Sequence, residues 1–260
     1  MEKKKIFFRK IWILFKKIRD CFVSRNLKLS KNISNYIITS CSITHIETSA
    51  AKIPKIIHQI WIGPLSPPKF MCTWKDFHPN YEYLLWDNEN IKKLFPLVNQ
   101  RLYDLYENDS EVWNARSDIL RFEIMYRYGG IYVDADTVCL RQIEGDFLDK
   151  DFFAAYLNEK VRKKRIATGV MGGIKCHPLM KHCIEELSRY KEIKKPAHTY
   201  CGPGFFTKVI KKYNFKIVIL PSYYFYPKFY IEDYGADYAG DFKPFCNHLW
   251  GNTKKLYKKI

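Results

Sequence analysis

The stretch from Ala115 to Asp136 constrains this chain more than any other. Ala115 to Tyr128 is apolar on most sides and is followed by Gly129-Gly130, the pattern of a buried helix closed by a left-handed glycine. Ile131-Tyr132-Val133 then reads as a short buried strand running directly into Asp134-Ala135-Asp136. A strand that ends on two carboxylates presents them over a sheet edge, where α/β proteins bind ligands. In an extended segment the side chains at i and i+2 point to the same side, so Asp134 and Asp136 are expected to share one ligand. Hard cations such as Mn²⁺ or Mg²⁺ take carboxylate oxygens and complete their shell with water and phosphate, so a diphosphate suits this pair.

Around this unit, strand-like and helix-like runs alternate. Ile53, Ile56, Ile57, Ile60, Trp61 and Ile62 form a β-rich run stopped by Gly63-Pro64. Tyr81 to Trp86 is a second strand, ended by Asp87-Asn88, which can cap a short helix around Asn90 to Phe95. Further β-type runs lie at Phe152 to Leu157, Gly169 to Ile174, Lys216 to Leu220 and Tyr223 to Tyr230, with a helix near Pro178 to Arg189. The alternation predicts an α/β fold, and the 260 residues suffice for one such domain with a short appendage. No period of about 20 to 50 residues repeats, which argues against solenoids and propellers.

Net charge is +17, and residues 1 to 31 hold eleven basic side chains against Glu2 and Asp20. Within that segment Phe7, Ile11, Leu14, Ile18 and Phe22 follow helical spacing, so it reads as a basic amphipathic helix. It can lie on an anionic membrane surface or pack on the domain. Its longest uncharged run, Ile11 to Phe15, is far below the roughly twenty residues that span a bilayer. Residues 27 to 50 read as a linker, with the domain boundary near residue 51. A cytoplasmic enzyme, peripheral on the membrane face, is expected, and nucleic acid is not an expected partner. The eight cysteines include no Cys-x-x-Cys pair and read as ordinary thiols of a reducing compartment.

An Asp-x-Asp pair alone is weak evidence. The run Asp134-Ala135-Asp136-Thr137-Val138 also fits phosphatases that use the first Asp as nucleophile, but these need a later acidic pair that is missing here. A non-enzymatic basic adaptor working through residues 1 to 31 is a further alternative. Asp118 and Arg121, three apart on one helical face, can pair with each other or jointly grip a polyol and its phosphate. Trp61 reads as core or as a platform for a base, and His58 as a satisfied core histidine.

Three ordered motifs narrow the choice: Ile53 to Gly63 (IPKIIHQIWIG), Ala115 to Arg121 (ARSDILR) and Tyr128 to Asp136 (YGGIYVDAD). Together they resemble the Asp-x-Asp glycosyltransferases of family 32, relatives of the yeast initiating α-1,6-mannosyltransferase, of bacterial capsule and lipopolysaccharide sugar transferases and, distantly, of clostridial glucosylating toxins. The resemblance covers Ile53 to about Thr253. It implies a single GT-A type nucleotide-sugar-binding domain with a mixed, mostly parallel central sheet flanked by helices. It also implies a retaining hexosyltransferase, active in polysaccharide biosynthesis, with a nucleotide-sugar donor (a uridine sugar before guanosine-linked mannose), a glycan or glycoconjugate acceptor, and Mn²⁺ or Mg²⁺.

By position, the resemblance implies that Ile60, Trp61 and Ala135 border the nucleotide, with Trp61 stacking on the base, and that Asp118 and Arg121 hold the donor sugar. Asp134 would contact ribose or metal, and Asp136 would ligate the metal. The segment Asn247 to Thr253 resembles the family's closing His-x-Trp segment, which makes His248 a third metal ligand. There the usual Ser-Trp is replaced by Asn252-Thr253-Lys254, so Lys254 or Lys255 would have to serve the diphosphate. Gly202 and Pro203 resemble the loop bordering the acceptor side, though the same residues also read as a plain turn.

Overall fold

The computed structural model describes residues 53–106, 113–192, 197–231 and 241–251. The basic amphipathic segment, the linker and the Asn252 to Lys255 stretch lie outside the described residues. In chain order the elements are β1 (Ile56–Ile60), α1 (Thr73–Phe77), β2 (Glu82–Trp86), α2 (Gln100–Leu105), α3 (Trp113–Tyr128), β3 (Gly130–Val133) and β4 (Thr137–Cys139). They continue with β5 (Phe152–Tyr156), β6 (Ile166–Gly173), α4 (Pro178–Ser188), α5 (Ala197–Tyr200), α6 (Pro203–Lys212), β7 (Val218–Leu220) and β8 (Cys246–His248).

Six strands form one sheet in the order β2-β1-β3-β6-β5-β7, and β4 pairs with β8 in a separate ribbon. The β1–β2, β1–β3 and β5–β7 pairs are parallel, whereas β6 runs antiparallel to both β3 and β5. The alternating runs predict an α/β fold, and the sheet is mixed and mostly parallel, as the family resemblance implies. Side-chain alternation divides the core into two layers. Tyr132, Phe152, Ala154 and Met171 face helices α3, α4 and α6, while Ile131, Val133, Phe153 and Val170 face Phe225 and Phe245 on the other side. Burial on both faces explains why the central strands read as continuous apolar runs.

Two glycines make the turn from α3 into β3. Gly129 has φ of 67°, and its N–H donates to Met125 O at 3.0 Å, closing the helix as the sequence predicts. A Cβ on Gly129 would lie 2.5 Å from Lys175 N, so close approach as well as φ excludes a side chain there. His58 secures the same corner. Its Nε2 donates to Gly129 O at 2.8 Å and its Nδ1 accepts from Trp86 Nε1 at 3.1 Å, which makes it the satisfied core histidine expected. Burial pushes its imidazole down to about 4, so it is neutral when folded.

Three expectations need correction. Tyr223 to Tyr230 is not a strand: Ser222–Tyr224 forms a 3-10 turn, and Ser222 O accepts from Phe225 N and Tyr226 N at 3.1 and 2.7 Å. Pro221 precedes the segment and Pro227 interrupts it, and neither has an N–H to give to a ladder. Gly202-Pro203 is no plain turn but the start of α6, with Gly202 at the N-cap and Pro203 in the first turn. Among the cysteines, Cys139, Cys183, Cys201 and Cys246 are buried thiols as expected and Cys72 is an exposed one, but Cys176 is disulfide-bonded.

Candidate active site

The end of β3 opens onto a cavity of about 630 Å³. Asp134 and Asp136 do not sit in extended chain as the i, i+2 reading supposed. The strand stops at Val133, and Asp134 to Thr137 makes a turn in which Thr137 Oγ1 and N both donate to Asp134 O, at 2.6 and 3.2 Å. Threonine hydrogen-bonds back to the chain and competes with the ladder. Trp74 Nε1 fixes that hydroxyl at 2.9 Å, and Gln59 Nε2 donates to Asp134 O at 3.3 Å. The turn still brings the two carboxylates together, because it folds them toward β8 rather than along β3.

His248 arrives through the ribbon. Thr137 pairs with His248 in the β4–β8 register, and Leu249 N donates to Asp136 O at 2.8 Å. His248 Nε2 lies 3.4 Å from Asp134 Oδ2 and 3.3 Å from Asp136 Oδ1. One ligand atom from each of the three residues falls within 4.8 Å of the others.

Arg121 organises the opposite side. From α3 its Nη2 donates to Asp134 Oδ1 at 2.9 Å, its Nη1 donates to Thr168 O at 2.9 Å, and Nη1 also lies 3.2 Å from Asp118 Oδ1. The guanidinium covers the Tyr132 ring at 4.6 Å, while the Tyr132 hydroxyl donates to Asp134 Oδ1 at 2.8 Å. Asp118 and Arg121 therefore form the helical ion pair, and the pair faces the cavity.

Electrostatics separates the two carboxylates. Burial would raise Asp134, but Arg121, then His248 and the Tyr132 hydroxyl, outweigh it and hold the carboxyl below the usual range. Asp136 is raised by burial and by the Asp134 charge, against the help of His248 and the Gly251 N–H at 2.8 Å. Burial would lower His248, yet Asp136 and Asp134 push it up. Burial likewise lifts Asp118 to about 6 despite Arg121. Within the acidic pair, Asp136 is thus the carboxylate with less compensating positive charge. Two carboxylates and an imidazole beside such a deficit fit a divalent cation of the Mn²⁺ or Mg²⁺ kind.

Of the other residues singled out by sequence, Ile60, Trp61, Ala135 and Pro203 line the same cavity. Trp61 is half-buried at the rim and its indole N–H donates to Leu65 O at 2.6 Å, while Asn88 clamps Gly63 from both sides at 2.9 and 2.8 Å. Gly202 is just behind the wall, where a Cβ would meet Asp118 Oδ2 at 3.0 Å. Sequence reasoning missed Gly169, Tyr226, His198 and Leu65, which also line the cavity. A glycine inside a strand signals a close approach, and at Gly169 a Cβ would lie 2.6 Å from Asp134 Oδ2. Tyr226 and His198 had no local signal.

Residues 68–154 match the family described as "Glycosyltransferase sugar-binding region containing DXD motif". The chain is 34% identical over 145 residues to inositol phosphoceramide mannosyltransferase 3 of Schizosaccharomyces pombe, covering 54% of this chain and 39% of that one. It is also 34% identical over 184 residues to mannosyl phosphorylinositol ceramide synthase CSH1 of Saccharomyces cerevisiae, covering 66% and 46%. The chain thus spans under half the length of these two relatives. Among solved structures, the PaToxG glycosyltransferase is similar at 17% identity and a TM-score of 0.48, covering 73% of this chain and 78% of that one, too loose a likeness to build on. Residues 68–154 are thus similar to the glycosyltransferase sugar-binding region that contains the DXD motif, the likeness also read from the sequence.

Proposed function

We propose that this chain is a metal-dependent retaining glycosyltransferase that moves a sugar from a nucleoside diphosphate to a hydroxyl of a glycan or glycoconjugate. The observation that carries the reading is the convergence of Asp134, Asp136 and His248 within 4.8 Å in a cavity that Trp61, Asp118 and Arg121 also line. A divalent cation held by Asp136, with Asp134 and His248, would neutralise charge on the departing diphosphate. Arg121 holds Asp134 ionised and aligned, and with Asp118 is suited to gripping donor-sugar hydroxyls. Trp61 offers a rigid aromatic face for the base. The names of the two yeast relatives favour mannose as the sugar, so guanosine-linked mannose is tested beside the uridine sugars expected from sequence.

Every carboxylate lining the cavity is engaged: Asp118 with Arg121, Asp134 with Arg121 and Tyr132, Asp136 with Gly251 N. That supports substitution on one face without an enzyme nucleophile. The acceptor oxygen bonds to the anomeric carbon as the carbon–phosphate oxygen bond breaks, and the acceptor proton passes to the departing diphosphate. Asp136→Asn tests the assignment. Donor hydrolysis and transfer should fall at least about 100-fold and lose their Mn²⁺ dependence; wild-type rates with unchanged Mn²⁺ dependence would sink it.

A further inference from the structure

We propose that Asn114 and His198 form the acceptor edge of the cavity, each hydrogen-bonding a hydroxyl of the molecule that receives the sugar. The inference rests on the glycosyltransferase reading and deepens it, naming side chains for the part of the site that the metal and nucleotide residues leave open. Four residues of α3 line the cavity, Asn114, Ser117, Asp118 and Arg121, at the spacing of one helical face. They descend from solvent to floor: Asn114 is exposed, Ser117 partly so, and Asp118 and Arg121 are buried. The buried pair is the proposed seat of the donor sugar, so Asn114 stands one helical turn from it on the solvent side.

His198 comes to Asp118 from α5. A Cβ on Gly202 would lie 2.9 Å from His198 Cα and 3.0 Å from Asp118 Oδ2, which sets the two residues side by side. Cys201 Sγ ties the same corner, 3.5 Å from Asp118 Oδ2 and 3.3 Å from Ala197 O. His198 is exposed and lines the cavity together with Pro203. Gly202 and Pro203, which resemble the acceptor-side loop, offer no polar side chain, whereas His198 just before them does. Among the described residues, the exposed part of the lining is Pro64, Leu65, Asn114 and His198. Pro64 and Leu65 are apolar and adjoin Trp61, whose indole N–H is spent on Leu65 O. The polar part of the mouth is therefore Asn114 and His198, and it borders the sugar seat rather than the base platform.

An exposed asparagine or histidine is ordinarily just a solvated surface residue. These two depart from that because both flank Asp118 on the cavity side, and neither side chain is hydrogen-bonded or ion-paired to a described residue. The carboxylates beneath them are committed: Asp118 to Arg121, Asp134 to Arg121 and Tyr132, and Asp136 to Gly251 N. With a sugar seated on the buried pair, an acceptor entering from solvent meets Asn114 and His198 first. A carboxamide and a neutral imidazole each carry both a donor and an acceptor, which suits hydroxyl groups that give and take a hydrogen bond. Partial burial, then the charges of Arg165 and Arg162, hold the His198 imidazole below its ordinary range, so one ring nitrogen keeps its lone pair.

The test uses the full chain, as wild type, Asn114→Ala, His198→Ala and His198→Gln, with Mn²⁺ and either guanosine diphosphate mannose or uridine diphosphate glucose. Each donor is offered water alone, or water with methyl α-mannoside, lactose or glycerol at high concentration, and the products of hydrolysis and of transfer are counted separately. At least one of these probes should divert donor from water in the wild type. The ratio of transfer to hydrolysis should then fall about three- to tenfold in each alanine variant, the size of one lost hydrogen bond. His198→Gln, which keeps a donor and an acceptor, should recover most of that loss. Both side chains are exposed and lose no internal partner, so an unchanged melting temperature is expected for all variants. A ratio unchanged in both alanine variants overturns the proposal, as does a glutamine variant no better than alanine. So does an equal fall in hydrolysis and transfer, since that would put the two residues on the donor, and so does a wild type that hydrolyses donor but is diverted by none of the probes. A wild type that neither binds nor hydrolyses either donor overturns the glycosyltransferase reading instead.

Discussion

At the scale of single residues, the site is held by atoms that leave no slack around Asp134. Its Oδ1 accepts from Arg121 and Tyr132, while its Oδ2 faces His248 on one side and the bare backbone of Gly169 on the other. A Cβ on Gly169 would come within 2.6 Å of that oxygen and 3.1 Å of the Tyr226 hydroxyl. Gly169→Ala should therefore displace the carboxylate and reduce donor turnover about tenfold or more. The overpacking itself should cost about 1–3 kcal/mol. Steady-state donor hydrolysis alongside thermal melting checks this, and an unchanged turnover would mean that Asp134 can move without consequence. Asp118, Arg121, Asp134 and Asp136 were readable as candidates because their spacing is local. Gly169 was readable only as an anomaly within a strand, and Tyr226 not at all, because nothing nearby in sequence betrays its approach to Asp134.

At the scale of elements, the α3–Gly129–β3 corner was the most predictable feature and is also the most demanding. Gly129 combines φ of 67° with backbone at 2.5 Å and 2.9 Å from a would-be Cβ. Gly129→Ala must open the β3–β6 junction as well as enter the left-handed region, and should destabilise the protein by about 2–4 kcal/mol. Urea denaturation measures it, and a change below about 1 kcal/mol would show that the corner relaxes freely. The Asp134 to Thr137 turn was misread as extended chain because the i, i+2 rule takes no account of the threonine that folds the backbone back. The segment after Pro221 was misread as a strand because aromatic richness is shared by strands and by core-filling loops.

At the scale of the whole molecule, buried histidines tie stability to pH. Burial holds His58 and His177 at about 4. An imidazole with a folded value below its unfolded one takes up its proton on unfolding. Its contribution is complete above about 6.5 and declines as pH falls toward 4. Asp118, raised to about 6, protonates in the folded state over the same interval and offsets part of that loss. His177 caps α4 by accepting from Leu179 N at 3.2 Å, a bond that serine can also make. His177→Ser should keep the cap and flatten the stability profile between pH 6.5 and 4 by up to one proton, about 1.4 kcal/mol per pH unit. Urea midpoints across that range provide the measurement, and parallel profiles for the two proteins would refute it.

What the sequence determined by itself were features whose physics is short-ranged: the helix that closes on Gly129, the apolar strand behind Asp134, the Asp118–Arg121 pair and the alternation that yields an α/β sheet. The tertiary structure decided which of these meet. His248 reaches the acidic pair from 114 positions away because β8 pairs with β4. Arg121 is committed to Asp134 because α3 packs on the sheet face that carries Tyr132, and β6 runs antiparallel between β3 and β5. Strand pairing and ion pairing between distant segments depend on how the whole core packs. No window of sequence contains that information, so the carboxylates could be found early but not their partners.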